Sequence, residues 1–493
     1  MSDAALSLTR FIPELALVGT LAVVIVADLL TQRWETLRAN SLLTWIAGGG
    51  LLVALFTSLG PPGGGALFAS MIADDGLLAV LRPVFALTAL FVLLFSLRAR
   101  ELESVRMGEM VALIVTTAAA LMWMAGSVNL VMIYLSLETV SVASYLMVGY
   151  LSSERLSNEA SLKYILFGAV STGAMLFGLS LLYGMTGTLD LYGVREALAS
   201  GAHGPELLLV LVLIAGGIGF KIAAVPFHFW CPDVYTGAPT PVTAFLSVGP
   251  KAAGFAVLIR FFYSGLATPE GGSFLPIPGS EAQTLLIVLS VVTMTLGNVA
   301  ALLQTNLKRL LAYSSIGHAG TMLMGAAALS SEAVHAIGVY LVVYLFMNLG
   351  AFFVVILAHR VTGSFDLASY AGFWKRSPVL TIAMVVFLLS LLGMPPFMGF
   401  AAKYYVFIAV IQADLVWLAV VGGLNVAVAA AYYLKVVMTM VIEPGEASPP
   451  AFAFSRLDAV LLALLAIPNL VGLLFWNALD GFTRVSRQLL DLV

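Results

Sequence analysis

Charge is scarce in this chain. Only 10% of its 493 residues are Asp, Glu, Lys or Arg, against 61% hydrophobic ones, which leaves too little polar surface to cover a soluble fold of this size. A single cysteine, Cys231, excludes an intramolecular disulfide and any thiolate-ligated cluster held by this chain alone. Cys231 itself reads as a small buried side chain. No basic block or acidic tail stands out from a net charge of −3, which argues against nucleic acid as a partner. There is no dinucleotide fingerprint after a strand, no phosphate loop and no zinc-ligand spacing. The glycines between Gly216 and Gly219 lie inside an apolar helix, where close helix packing explains them.

What the sequence does have is long apolar runs. Windows of about twenty residues place fourteen membrane spans, near residues 12–31, 41–58, 77–97, 108–126, 128–151, 160–185, 206–228, 242–265, 281–303, 309–328, 335–358, 378–411, 413–441 and 457–477. The expected fold is an all-α polytopic membrane protein with the lipid bilayer as its surroundings. The first span, beginning near Ile12, lacks a basic leader followed by a cleavage site and reads as a retained span. Loop charge orients the chain independently. With the N-terminus outside, the inner loops hold Arg33, Arg38, Arg98, Arg100, Arg106, Arg155, Lys308, Arg309, Arg360, Lys375, Arg376 and Arg456, and the outer loops hold only Arg195. Both termini are then expected on the outer face, and no linker is long or polar enough to part off a soluble domain.

Within the spans the lysines are Lys163, Lys221, Lys251, Lys403 and Lys435, and the clearest buried acid is Glu138. A lysine at mid-bilayer costs roughly 2.5 to 3.5 kcal/mol on insertion scales, so an ionisable residue at that depth is a candidate for function. Lys221 sits at the deep end of an apolar helix that is then interrupted by Pro226, Pro232, Pro239 and Pro241. Broken backbone at membrane depth is tolerated only where protein covers it or a wet cavity adjoins it. Lys251 follows Gly249 and Pro250 and is expected close to Lys221. A nearby ammonium and burial pull on Glu138 in opposite directions, which suits proton exchange; its other reading is a neutral, hydrogen-bonded core acid. For Lys251, Lys163 and Lys435 the other reading is snorkelling to a membrane face, and Lys435 lies near an inner helix end. His228 and His318 are placed to relay protons, or else are satisfied core histidines. His335, at a helix start, is a further possible relay. His203 and His359 read as loop or helix-end residues, and Arg82 and Arg260 as helix ends near the outer face.

The device of an apolar helix broken beside a lysine occurs twice. The twelfth span, VFLLSLLGMPPFMGFAAKYYVF, is broken by Gly393, Pro395, Pro396 and Gly399 with Lys403 alongside. Glu138 and Lys221 are 83 positions apart and His318 and Lys403 are 85 apart; Lys221 to Lys251 is 30 and Lys403 to Lys435 is 32. A unit of spans four to eight, repeated as nine to thirteen, has an odd number of helices, so the copies are inverted in the membrane. Paired broken helices in matching halves point to a transport site. The expected division is an N-terminal three-helix segment at 1–107, a first five-helix repeat at 108–268, a second inverted repeat at 279–442, and helix 14 with its tail at 443–493.

The runs SLETVSVASYLMVGY, NEASLKYILFGAVSTGAMLFGLSLLYGMTGTLDL and GFKIAAVPFHFWCPDVYTGAPTPVTAFLSVGPKAAGF, with NLKRLLAYSSIGHAG and GMPPFMGFAAKYYVF further on, resemble the subunit N family of bacterial respiratory complex I, the NADH:quinone oxidoreductase. The likeness spans roughly Met110 to Lys435. It implies fourteen helices, two inverted five-helix repeats and a proton channel in a bacterial inner membrane. It also implies neighbouring antiporter-like and small membrane subunits as partners, and no cofactor bound by this subunit, since NADH, FMN, iron–sulfur clusters and quinone belong to other subunits. By motif, Glu138 corresponds to the acid of the fifth helix, Lys163 to the sixth-helix lysine, Lys221 and Lys251 to the central pair, Lys403 to the exit-side lysine and His318 to the tenth-helix relay. The proton is then expected to come in through the first repeat, rest on Lys221 beside Lys251, and pass by His318 and bridging water to Lys403, with Glu138 biasing Lys221. An Mrp-like cation/proton antiporter subunit shares these features and is the rival.

Overall fold

The computed structural model describes residues 3–201, 204–445, 452 and 454–489; His203 lies outside the described residues. After a short helix at Asp3–Arg10, three long helices follow: α1 (Ile12–Leu30), α2 (Thr36–Ser58) and α3 (Gly76–Ser96). They are followed by α4 (Gly108–Gly126), α5 (Leu130–Val148), α6 (Arg155–Thr186), α7 (Pro205–Ile222), its short continuation α8 (Trp230–Gly237), and α9 (Thr240–Ile259). A second series follows: α10 (Ala282–Leu302), α11 (Leu307–Ala326), α12 (Ser331–Thr362), α13 (Pro378–Leu392), its continuation α14 (Met398–Gln412), and α15 (Val416–Val441). The chain closes with α16 (Arg456–Val471) and α17 (Trp476–Arg484). Two small antiparallel hairpins, Gly65–Leu67 with Ile72–Asp74 and Ala267–Glu270 with Ser273–Pro276, cap one end.

Every expected span is helical, and among the described residues twelve helical segments are long and apolar enough to cross a bilayer. The other two depart for a physical reason. Residues 378–411 form two short apolar helices, α13 and α14, because the break at Gly393 to Pro396 divides them. The α11 helix has the length to span but carries Lys308, Arg309, Ser314, Ser315 and His318 along it. Such a helix survives in a membrane only when protein surrounds it, and α9 and α12, which pack on it, are themselves buried over nearly their whole length.

The two series match element by element, down to their caps. Asn129 caps α5 and Asn306 caps α11, each accepting backbone N–H groups of the first turn. The α6 and α12 helices are both 32 residues long and both end on a left-handed glycine, Gly187 and Gly363. Just beyond, the sextets TGTLDL (186–191) and TGSFDL (362–367) fold alike: Asp190 bridges back to Asn129 and Asp366 to Asn306. These two tethers lie at opposite ends of the bundle. The first adjoins Ser127, whose neighbour Ala125 accepts from Arg260; the second adjoins Lys308, which reaches Ala238 at the other end of α9. The copies are therefore inverted.

Ion pairs fasten both ends. Near the first tether, the Arg260 guanidinium straddles Asp75 at 2.9 Å and donates to the Ala125 carbonyl at 2.5 Å. Arg82 joins Glu14 at 2.7 Å to Asp74 at 2.8 Å. At the opposite end, Arg98 grips Asp458 of α16 through two bonds of 2.6 and 2.7 Å. Lys308 corrects the sequence reading, which set it aside as a loop charge. It lies inside α11 and is fully buried, with its ammonium on the Ala238 carbonyl at 2.7 Å and over the Phe365 ring.

Candidate functional site

The first helix break begins where α7 ends on Ala223, a residue in the left-handed region at φ 59°. Lys221 is on the last turn of α7, where the free carbonyls of a helix favour a cation. It is 1% exposed, and its ammonium donates to the Ser141 hydroxyl of α5 at 3.0 Å. Its stem lies against Gly254, where a Cβ would meet Ile222 at 2.6 Å and the lysine stem at 3.5 Å. Glu138, one turn before Ser141, is half-buried, and the Lys221 ammonium bonds the Ser141 hydroxyl rather than the Glu138 carboxylate.

At the second break, α13 ends on Gly393 at φ 82° and α14 starts at Met398. Lys403 reaches back from α14 to the last carbonyl of α13, Leu392, at 2.7 Å. The ammonium thus takes the place of the missing next turn, at the negative end of the half-helix. Only glycine fits at 393, because a Cβ there would stand 2.6 Å from the Lys403 Cδ.

Between the breaks lie Lys251 and His318. Lys251 is 1% exposed and donates to the Ser315 carbonyl at 2.7 Å and to the Ser315 hydroxyl. One turn on, the His318 imidazole bonds the Tyr340 hydroxyl through Nδ1 at 2.6 Å and the Tyr433 hydroxyl through Nε2 at 3.0 Å. Tyr433 in turn shares a 2.5 Å bond with Ser314. His318 and Lys403 both line a cavity of about 10 Å³, close to the smallest space that holds one water. Asn298, Asn425 and Tyr432 complete its polar wall, Asn298 bonding Asn425 at 3.2 Å and Tyr432 at 3.0 Å. The interior therefore runs from Lys221 and Ser141, past Lys251 and Ser315, to His318, Tyr433 and Lys403.

The remaining sequence candidates lie off this line. Lys163 is at the bundle end, pairing with Glu159 at 2.8 Å and Asp233 at 2.7 Å, while Arg309 takes the other Asp233 oxygen at 2.6 Å. A cavity of about 210 Å³ adjoins that cluster. His228 is buried in the first break with no hydrogen-bond partner for Nδ1 among the described residues. His335 packs near the C-terminal helix, bonded to Thr483 at 3.1 Å and Arg487 at 3.3 Å. Lys435 is exposed on the outside of α15.

The sequence reading missed a polar face along α9. Thr240, Thr243, Ser247 and Lys251 recur at helical spacing. Thr240 N–H donates to Glu101 at 2.8 Å, and Ser247 accepts from Asn348 at 2.5 Å. The Thr240, Tyr235 and Tyr344 hydroxyls and the Asn348 carbonyl oxygen are buried without a protein partner among the described residues. Buried polar atoms of this kind are ordinarily satisfied by ordered water. The stripe of hydroxyl residues leading to Lys251 was the signal available in the sequence.

Comparison with known proteins gives a consistent picture. Residues 127–429 match a family described as NADH:quinone oxidoreductase/Mrp antiporter, TM. The chain is 42% identical to NADH-quinone oxidoreductase subunit N of Anaeromyxobacter sp. (strain Fw109-5), covering 97% of this chain and 96% of that one. It is 40% identical to NADH-quinone oxidoreductase subunit N 2 of Chloroherpeton thalassium, covering 98% and 95%. Among solved structures it resembles a chain of respiratory complex I from Thermus thermophilus with bound aureothin, at 30% identity, 95% and 99% coverage and a TM-score of 0.76. A chain of the Mrp complex from Dietzia sp. DQ12-45-1b shares the fold at 19% identity, 99% and 97% coverage and a TM-score of 0.78.

Proposed function

Since this chain belongs to the NADH:quinone oxidoreductase/Mrp antiporter family of membrane subunits, in its subunit N branch, we propose that its buried amines and imidazole are the groups through which such an oxidoreductase couples quinone reduction to proton translocation. The observation that carries this reading is the line of groups inside one interior: Lys221, Lys251, His318 and Lys403, each held by hydroxyl or carbonyl oxygens. A charge kept from water by neutral partners is costly unless paired, so these amines are suited to pick up and pass on a proton.

The proton comes from the end of the bundle rich in arginine and lysine, which is the inner face by the loop charges. It follows the polar face of α9 from Glu101 and Thr240 past Ser247 to Lys251. Lys221 exchanges with Lys251 across the first break, and His318 hands on through Tyr433 and water to Lys403, which releases it outward. Glu138 acts as the bias: moving negative charge toward or away from Lys221 changes the cost of its ammonium. Lys163 with Asp233 and Arg309 positions α8 at the mouth. Quinone, NADH, FMN and the iron–sulfur clusters are handled by other subunits, and neighbouring membrane-arm subunits pack against part of the outside of this one in the bacterial inner membrane, with both termini outward.

The test is Lys221→Ala in the assembled complex, reconstituted in vesicles. Electron transfer with pumping abolished or strongly reduced is the expected result. Undiminished protons per electron would remove Lys221 from the path. The Mrp-type reading predicts instead that the purified chain carries no flavin- or iron–sulfur-containing partners.

A further inference from the structure

A groove of about 420 Å³ runs down the outside of the fold between α13 and α16, well away from the polar interior. Its floor is Ala383, Val386 and Leu462, each 5 or 6% exposed. One wall is a single face of α16, where Ala459, Ala463, Ala466 and Leu470 follow at steps of three and four. One further step back along that face is Arg456, which is exposed. Four residues before Val379, on the other wall, is Lys375, exposed beside the exposed Trp374. Both helices begin at this end, so their oriented N–H groups add to the positive field.

We propose that this groove binds an acyl chain of an anionic glycerophospholipid, with the headgroup phosphate on Arg456 and Lys375. Length selects a lipid over a partner's helix. From Ala459 to Leu470 the wall rises about 16 Å at 1.5 Å per residue, one leaflet rather than the roughly 30 Å a spanning helix covers. Charge selects an anionic one. The nearby Asp458 offers no repulsion, because Arg98 takes both of its oxygens and the Ser455 N–H donates to one of them. Clustered Lys and Arg at the mouth of an interhelical groove suit a phospholipid headgroup, and the exposed Trp374, just before α13 begins, is the residue type that favours a membrane interface.

The assembled complex, reconstituted in phosphatidylcholine vesicles, is irradiated with trace phosphatidylglycerol bearing a diazirine on its acyl chain, and in parallel with phosphatidylcholine carrying the same group. Labelling of the 456–470 segment by the phosphatidylglycerol probe is expected to exceed that by phosphatidylcholine on the order of tenfold. Arg456→Gln with Lys375→Gln, both at the surface, removes that preference, and Ala463→Phe blocks labelling by either probe while NADH:quinone turnover continues. Equal labelling by the two probes means an ordinary annular lipid and overturns the proposal. No labelling by either, with Ala463→Cys cross-linking to another subunit, means that a partner covers the groove and also overturns it.

Discussion

Gly393→Ala is the sharpest single test of the second break. Gly393 holds φ 82°, and a Cβ there meets the Lys403 Cδ at 2.6 Å, with Cγ and Cε both at 3.3 Å. A left-handed alanine costs roughly 1–2 kcal/mol, which lowers stability whatever the lysine does. The clash then sets the position of Lys403. Its stem leaves once the strain exceeds the charge-assisted bond to Leu392, a bond of roughly 1.5–3 kcal/mol. At about 1.4 kcal/mol per tenfold, the ratio of docked to undocked Lys403 falls by one to two orders of magnitude. Protons per electron in vesicles, measured against NADH:quinone turnover of the same preparation, should fall accordingly. Gly423→Ala is the control: nothing lies within 4 Å of its Cβ, so it removes a helical glycine without touching the site. An assembled Gly393→Ala complex that pumps as well as the Gly423→Ala one would refute the reasoning.

Tyr433→Phe removes the hydroxyl that joins His318 to Ser314 and leaves the ring in place; pumping should slow about tenfold or more, whereas Tyr370→Phe, remote from the line, should leave it unchanged. Arg260→Leu abandons a buried Asp75 and should destabilise the subunit by roughly 3–5 kcal/mol, read as a lower melting temperature of the purified complex, with Asp75→Asn restoring part of the loss. His335→Ala should loosen the C-terminal segment, seen as faster proteolysis near Thr483, with pumping intact. A pumping defect there would place His335 on the path.

Apolar periodicity sufficed for the helices, because length and composition decide what crosses a bilayer. The two breaks were legible as well: proline and glycine beside a lysine at mid-span interrupt the helix and leave a charge that only a polar interior can hold. Registration between the copies was less so. Distances between charged landmarks pair Glu138 with His318, but the caps Asn129 and Asn306 define a different alignment, in which Ser315 answers to Glu138 and His318 to Ser141. The sextets TGTLDL and TGSFDL carried that register in plain sight. Burial was the least legible property. Lys308 read as a loop charge and Lys435 as a helix-end cation, yet the first is fully buried and the second exposed. The difference lies in what each faces across the bundle, a carbonyl and an aromatic ring for Lys308, which no local pattern encodes.

The corrected register bears on direction. Lys221 meets Ser141, the position whose counterpart is His318, and Lys251 meets Ser315, the counterpart of Glu138. The two lysines thus meet neighbouring rather than equivalent positions of the repeat, one in each copy, and the side chains at the matching positions differ. The caps and tethers obey the inversion; the ionisable groups do not. Strict inversion would hang the two break lysines from half-helices at opposite ends of the bundle. Instead Lys221 is on α7 and Lys403 on α14, which both lie toward the end that holds Arg260 and His335. The half-helices toward the arginine-rich end, α8 and α13, carry no lysine, and α8 presents the carboxylate of Asp233. The interior is thus symmetric in backbone but not in charge, and its two ends are chemically unequal.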